Sequence, residues 1–184
     1  MRKIYAVLPL LTALAGSPAY ATVMGDTFNG SYLFPDANSV ALDGGNATVN
    51  PTASFVFPTG TPNVTATISG TQIVLTFDAA GSYNPASFSG IRLTDLTKSD
   101  ITGFSLASIS GITGFDSSDL LFTSNSLSLN LQGIDVSGST ATIIANISSG
   151  AVPEPASWAM MVAGFGLVGA GVRASRKRTK IGFA

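Results

Sequence analysis

Between residues 27 and 147 apolar and polar side chains exchange at every second position, in short bursts separated by Gly, Pro, Asn or Asp. Val64, Ala66 and Ile68 alternate with Thr65 and Thr67, while Ile73, Leu75 and Phe77 alternate with Gln72, Val74 and Thr76. Successive side chains of a strand point to opposite faces, so each set lines one face. Ser69-Gly70 between them reads as a hairpin turn, because glycine enters positive φ without steric cost. The alternation returns in Leu127, Leu129 and Leu131 against Ser126, Ser128 and Asn130. It returns again in Ala141, Ile143, Ala145 and Ile147 against Thr140, Thr142, Ile144 and Asn146. Further strands are predicted over 28–34, 53–57, 87–94, 101–109 and 120–123, about nine in all. Asp43-Gly44-Gly45-Asn46, Pro58-Thr59-Gly60 and residues 81–85 and 111–114 read as loops. Each half-apolar strand must cover one face against another layer. The expected fold is therefore all-β, an antiparallel β-sandwich or jelly-roll-like domain, with a closed barrel as the alternative.

The two ends follow a different pattern. Met1-Arg2-Lys3 is a positive start, residues 4–14 are apolar, and Ala19-Tyr20-Ala21 places small residues where a signal peptidase requires them. The apolar run is shorter than the ~20 residues that span a bilayer, so residues 1–21 read as a signal peptide cleaved after Ala21. At the other end Ser148-Ser149-Gly150-Ala151 is a small-residue linker. Val152-Pro153-Glu154-Pro155 after it is stiff and extended, since each proline restricts itself and its predecessor. An apolar run from Ala156 to Val172 opens near Trp158, a residue suited to the water boundary of a membrane. Arg173, Arg176, Lys177 and Arg178 close it as a cytoplasmic basic anchor. The expectation is a single C-terminal transmembrane helix, short at ~26 Å and weakened by Gly164, Gly166, Gly169 and Gly171. A plain anchor, or a small-residue dimer face at Ala159 with Ala163 or Gly166 with Ala170, fits the same residues. The chain thus divides into 1–21, an exported domain over 22–150, and a C-terminal signal over 151–184.

Charge sharpens this division. The formal net charge of −1 conceals that most cations lie in the two ends. Over residues 22–150, nine aspartates face only Arg92 and Lys98, a formal charge of −7. Nucleic-acid binding needs a basic footprint to displace counterions, and this domain has none. The chain has no Cys and no His, which removes disulfides, Ser-His-Asp and Cys-His nucleophilic machinery and the usual zinc sites.

The aspartates are the remaining candidates for chemistry. Hard oxygens in loops suit calcium, yet neither Asp36-Ala37-Asn38 nor Asp43-Gly44-Gly45-Asn46 completes a calcium loop. Turn capping and protection of sheet edges account for them instead, so no metal or cofactor is assigned. Asp116-Ser117-Ser118-Asp119 raises a glycosidase-like carboxylate pair, but no apolar surrounding that lifts one pKa is evident, and a solvated turn is the preferred reading. Trp158 lies in the tail, leaving Tyr32 and Tyr83 as the polar-tipped aromatics of the domain for a sugar. No catalytic residue is assigned.

The tail carries a resemblance. Pro153-Glu154-Pro155-Ala156-Ser157-Trp158-Ala159, with Gly164-Phe165-Gly166 and the basic cluster behind it, resembles the PEP-CTERM sorting signal in its Pro-Glu-Pro-x-x-Trp-Ala variant. The resemblance implies recognition by an exosortase, a multi-spanning inner-membrane cysteine transpeptidase-like enzyme of Gram-negative bacteria that make exopolysaccharide. It further implies a transient stay at the inner membrane and cleavage near Pro153-Glu154-Pro155, with Trp158 part of the motif. Residues 88–96 and 127–131 also resemble the β-rich cargo domains found ahead of such tails. The expected function is a non-enzymatic exported protein of the cell surface or exopolysaccharide matrix, with exopolysaccharide as candidate ligand. Two alternatives stand beside it: a glycan-binding or glycan-acting β-sandwich, and a permanently anchored periplasmic protein.

Overall fold

Thr, Val, Ile and Phe at alternating positions fit a pleated, half-buried surface, and in the computed structural model they form strands almost throughout the domain. The structure describes residues 22–150 and 155–176. The expected signal peptide with Ala21 thus lies outside the described residues, as do Pro153, Glu154, Lys177 and Arg178. Residues Ala21–Ala151 form one compact unit, and the C-terminal helix belongs to another.

In chain order the strands are β1 (Thr27–Leu33), β2 (Val40–Thr48), β3 (Thr52–Phe57), β4 (Val64–Ser69), β5 (Gln72–Phe77), β6 (Gly81–Ser82) and β7 (Gly90–Asp95). They continue as β8 (Ile101–Ser110), β9 (Ile112–Thr113), β10 (Leu120–Thr123), β11 (Ser126–Asn130), β12 (Asp135–Val136) and β13 (Thr142–Ser149). A 3₁₀ turn, Ser117–Asp119, precedes β10. One five-stranded sheet runs β10-β11-β7-β1-β2, a second runs β3-β4-β5-β13-β8, and a small three-stranded sheet runs β6-β12-β9. Every pairing is antiparallel.

The two large sheets enclose one apolar cluster. Phe28, Ile91, Leu93, Leu127 and Leu129 enter it from the first sheet, and Phe55, Ile68, Leu75, Ile143 and Ala145 from the second. Contact between sheets is direct. A Cβ on Gly30 of β1 would lie 2.4 Å from the Phe55 ring of β3, so that ring occupies the space a side chain there would need. Such an arrangement is a sandwich rather than a closed barrel. Its second sheet contains the simple meander β3-β4-β5, so the order is not the double Greek key of a jelly roll.

The alternation in β4 and β5 appears as strict burial of Val64, Ala66, Ile68, Ile73, Leu75 and Phe77. The expected loop at Asp43-Gly44-Gly45-Asn46 is instead part of β2. The register steps from Asn29↔Asn46 to Ser31↔Asp43, so two glycines oppose Gly30 alone, a bulge in which Gly45 takes φ +76°. β2 is an edge strand with hardly a buried residue, which leaves no alternation to read. The expected loops at 81–85 and 111–114 contain β6 and β9, both paired to β12.

Beyond the domain, α1 (Pro155–Arg176) is a 22-residue helix. Proline at its first position suits a helix start, where its missing N–H has no intrahelical partner to lose. No helix among the described residues is long and apolar enough to cross a membrane, in contrast to the expected transmembrane span.

Candidate functional site

Two places in the domain gather polar chemistry, one at each end of the β1–β7 ladder. Phe28 faces Asp95 and Leu33 faces Gly90 along that ladder, so the two ends lie about 17 Å apart at ~3.4 Å per residue.

At the Leu33 end is a cavity of about 320 Å³ lined by Tyr32, Phe34, Leu42, Thr59, Tyr83 and Asn84, among others. Strand β1 delivers Tyr32, while the segment after β6 delivers Tyr83, and their rings stand 6.4 Å apart. The structure therefore brings together the two tyrosines singled out for sugar contact. Both are buried, and their hydroxyls are already engaged. Tyr32 Oη shares a 2.8 Å hydrogen bond with Ser89 Oγ, and Tyr83 Oη donates to the Pro62 carbonyl at 3.2 Å. Phe57 and Phe77 pack on the same two rings at 6.3 and 6.1 Å. Burial raises both phenol pKa values, so the pair stays neutral.

At the opposite end Asp26 stands just before β1, Asp95 ends β7, and Asp100 just precedes β8. One carboxylate oxygen from each lies within 4.8 Å of the other two. The surrounding backbone fixes them there. Asp95 N–H donates to the Asn125 carbonyl, Ile101 N–H to Ser124, Val49 N–H to Asp26, and Gly150 N–H to the Asp100 carbonyl at 2.6 Å. Asp26 is 1% exposed and Asp95 3%. Asp95 Oδ1 caps the following turn by accepting from Thr97 and Lys98 N–H at 2.7 and 3.0 Å. Lys98 Nζ reaches back to Asp26 Oδ1 at 2.7 Å. Asp26 Oδ2, Asp95 Oδ2 and Asp100 Oδ1 are buried without a hydrogen-bond partner. Burial, aided by the charges of Asp95 and Asp100, raises the Asp26 carboxyl against the opposing pull of Lys98. The bond to Asp26 in turn raises the Lys98 ammonium. No local pattern marks this cluster, because Asp26 is 69 residues from Asp95; the surplus of aspartate is its only trace in the sequence.

Asp116 and Asp119 come together, but as a capping box. Asp116 Oδ1 accepts from Ser118 N–H at 2.7 Å, and Asp119 Oδ2 accepts from Asp116 N–H at 2.9 Å. The Ser118 bonds lower the Asp116 carboxyl, while partial burial raises Asp119. Each carboxylate thus holds the turn that leads into β10.

In the C-terminal segment, Pro155 opens α1 and Trp158 lies in its first turns, with a side chain outside those described. Arg173 is exposed in the last turns, and Arg176 ends the helix. From Met160 to Arg173 every side chain is exposed, including Met160, Met161, Val162, Phe165, Leu167 and Val168. Apolar side chains point outward all around this helix.

Residues 151–177 match the family profile of the PEP-CTERM protein-sorting motif. The chain carries that motif on the residues expected for it, from Ala151 through Arg176 and Lys177. No curated protein and no solved structure matches the chain.

Proposed function

Taking the sorting motif as premise, we propose that this chain is the precursor of an exported, non-enzymatic β-sandwich protein, delivered to the cell surface or exopolysaccharide matrix of a Gram-negative bacterium. The carrying observation is the PEP-CTERM match over residues 151–177, a motif that implies an exosortase-sorted protein and a membrane-held precursor. Residues 1–21 start export as a signal peptide cleaved after Ala21. Pro153, Glu154, Pro155 and Trp158 then present the sorting motif, and Arg173, Arg176, Lys177 and Arg178 hold the far end on the cytoplasmic side.

Supporting this reading, α1 presents apolar side chains all around, a surface that water does not favour. Its glycines make it a marginal occupant of a bilayer, which suits brief retention better than a permanent anchor. The capping role of Asp116 and Asp119 supports a non-catalytic domain.

The test uses full-length protein with an epitope in the domain, expressed in cells with and without an exosortase. Mass spectrometry is expected to find a surface form ending near residues 153–155 only where the enzyme is active. Glu154→Gln and Pro155→Ala precursors are expected to accumulate uncut in the membrane fraction. A full-length chain of equal mass in both strains would sink the proposal and favour the permanently anchored alternative.

A further inference from the structure

We propose that Asp26, Asp95 and Asp100 form a calcium site that joins the two sheets at the end of the domain nearest the C-terminal tail. Oxygens sharing one calcium at 2.3–2.6 Å can be no more than about 5 Å apart. The three carboxylate oxygens meet that limit at 4.8 Å without rearrangement. Two of the side chains are almost wholly buried, and each of the three residues has a buried oxygen without a partner. Buried carboxylate oxygens rarely remain unsatisfied, because loss of hydration costs the charged form dearly. Lys98 supplies one positive charge to three negative ones, its ammonium is paired with Asp26, and its side chain is 39% exposed. The cluster by itself therefore keeps a net charge of −2, and Lys98 can swing into solvent when a doubly charged ion takes its place.

The donor set selects the ion. It consists of hard oxygens, and the chain has neither His nor Cys, which disfavours zinc and softer metals. Calcium accepts irregular shells of six to eight oxygens completed by water, whereas magnesium demands a near-ideal octahedron at 2.0–2.1 Å. The tie is placed for mechanical effect. Asp26 stands just before β1 of the first sheet, Asp95 ends β7 of the same sheet, Asp100 stands just before β8 of the second, and the Asp100 carbonyl accepts from Gly150 N–H just past β13.

The experiment is calorimetric titration and thermal unfolding of the full chain in non-ionic detergent, with calcium, with magnesium and with a chelator. Expected are a Kd on the order of 10⁻⁴–10⁻³ M for calcium and a Tm rise of about 5 °C at ~10 mM. Asp100→Asn is expected to weaken calcium binding at least tenfold. Lys98→Gln, which removes the competing ammonium, is expected to bind calcium several-fold more tightly and to regain in calcium the stability it loses in chelator. Absence of a calcium-dependent Tm shift in both the natural chain and Lys98→Gln overturns the site. So does an equal or larger response to magnesium, or binding that Asp100→Asn leaves unchanged. Should Asp100→Asn fail to fold, the other two titrations decide the matter. None of these readings depends on sorting, so the site and the proposed route stand or fall separately.

Discussion

At the scale of the residue, close approach matters more here than any reactive group. The space a Cβ on Gly90 would fill is 2.0 Å from the Leu129 carbonyl oxygen, so β7 and β11 meet with no room for a methyl. Gly90→Ala is expected to cost about 3 kcal/mol, the upper range for overpacking, because the obstacle is backbone that cannot rotate away. A fall in urea midpoint at unchanged m-value would register it; an unchanged midpoint would contradict it. Tyr32→Phe is a gentler probe. It leaves the buried Ser89 hydroxyl without its 2.8 Å partner and is expected to cost about 1 kcal/mol by the same measurement. Tyr32 and Tyr83 were recognisable from sequence as aromatics with polar tips, but their meeting across 51 residues of chain was not. The aspartate triad was hidden more completely. Asp26 and Asp100 each precede a strand and Asp95 ends one; the pairing of β1 with β7 sets Asp26 beside Asp95, and the turn into β8 brings up Asp100.

At the scale of the element, sequence was informative in proportion to burial. Strands with one face in the core had to alternate, and β3, β4, β5, β11 and β13 could be placed within a residue or two. Edge strand β2 has no such constraint. Its Asp-Gly-Gly-Asn stretch serves as a bulge rather than a loop, a difference decided by the partner strand and not by the residues themselves. The two-residue strands β6, β9 and β12 are shorter than any period. Core and edge positions should therefore respond differently to truncation. Ile143→Ala, in a strand flanked on both sides, is expected to cost about 3 kcal/mol, whereas Val56→Ala, 63% exposed, should stay within about 0.5 kcal/mol. Comparable losses at both sites would contradict the packing described.

At the scale of the whole molecule, stability should fall on the alkaline side. Tyr32 and Tyr83 are raised above the ordinary 10.0 by burial, and Lys98 above 10.5 by its bond to Asp26. A group raised in the folded state contributes stability that is complete below its unfolded pKa and is lost as pH climbs through the folded value. All three act with the same sign, so Tm should hold steady from about pH 7 to 9 and fall above about pH 10. Tyr83→Phe should flatten part of that fall in a scanning-calorimetry series. A Tm unchanged to pH 11.5 (roughly 1.5 units above a free phenol) would show that these groups are not held as described.

On the proposed export route, the place of β13 has a consequence for the order of events. It is the last strand of the chain, yet it lies between β5 and β8 inside the second sheet. Until residues 142–149 have emerged, that sheet is split into a three-stranded meander and a lone strand. A chain threading out from its N-terminus therefore completes its fold only as its final domain residues arrive, with the sorting motif beginning two residues behind them. On the proposed route, cleavage at such a point would fall on a polypeptide that has just finished folding.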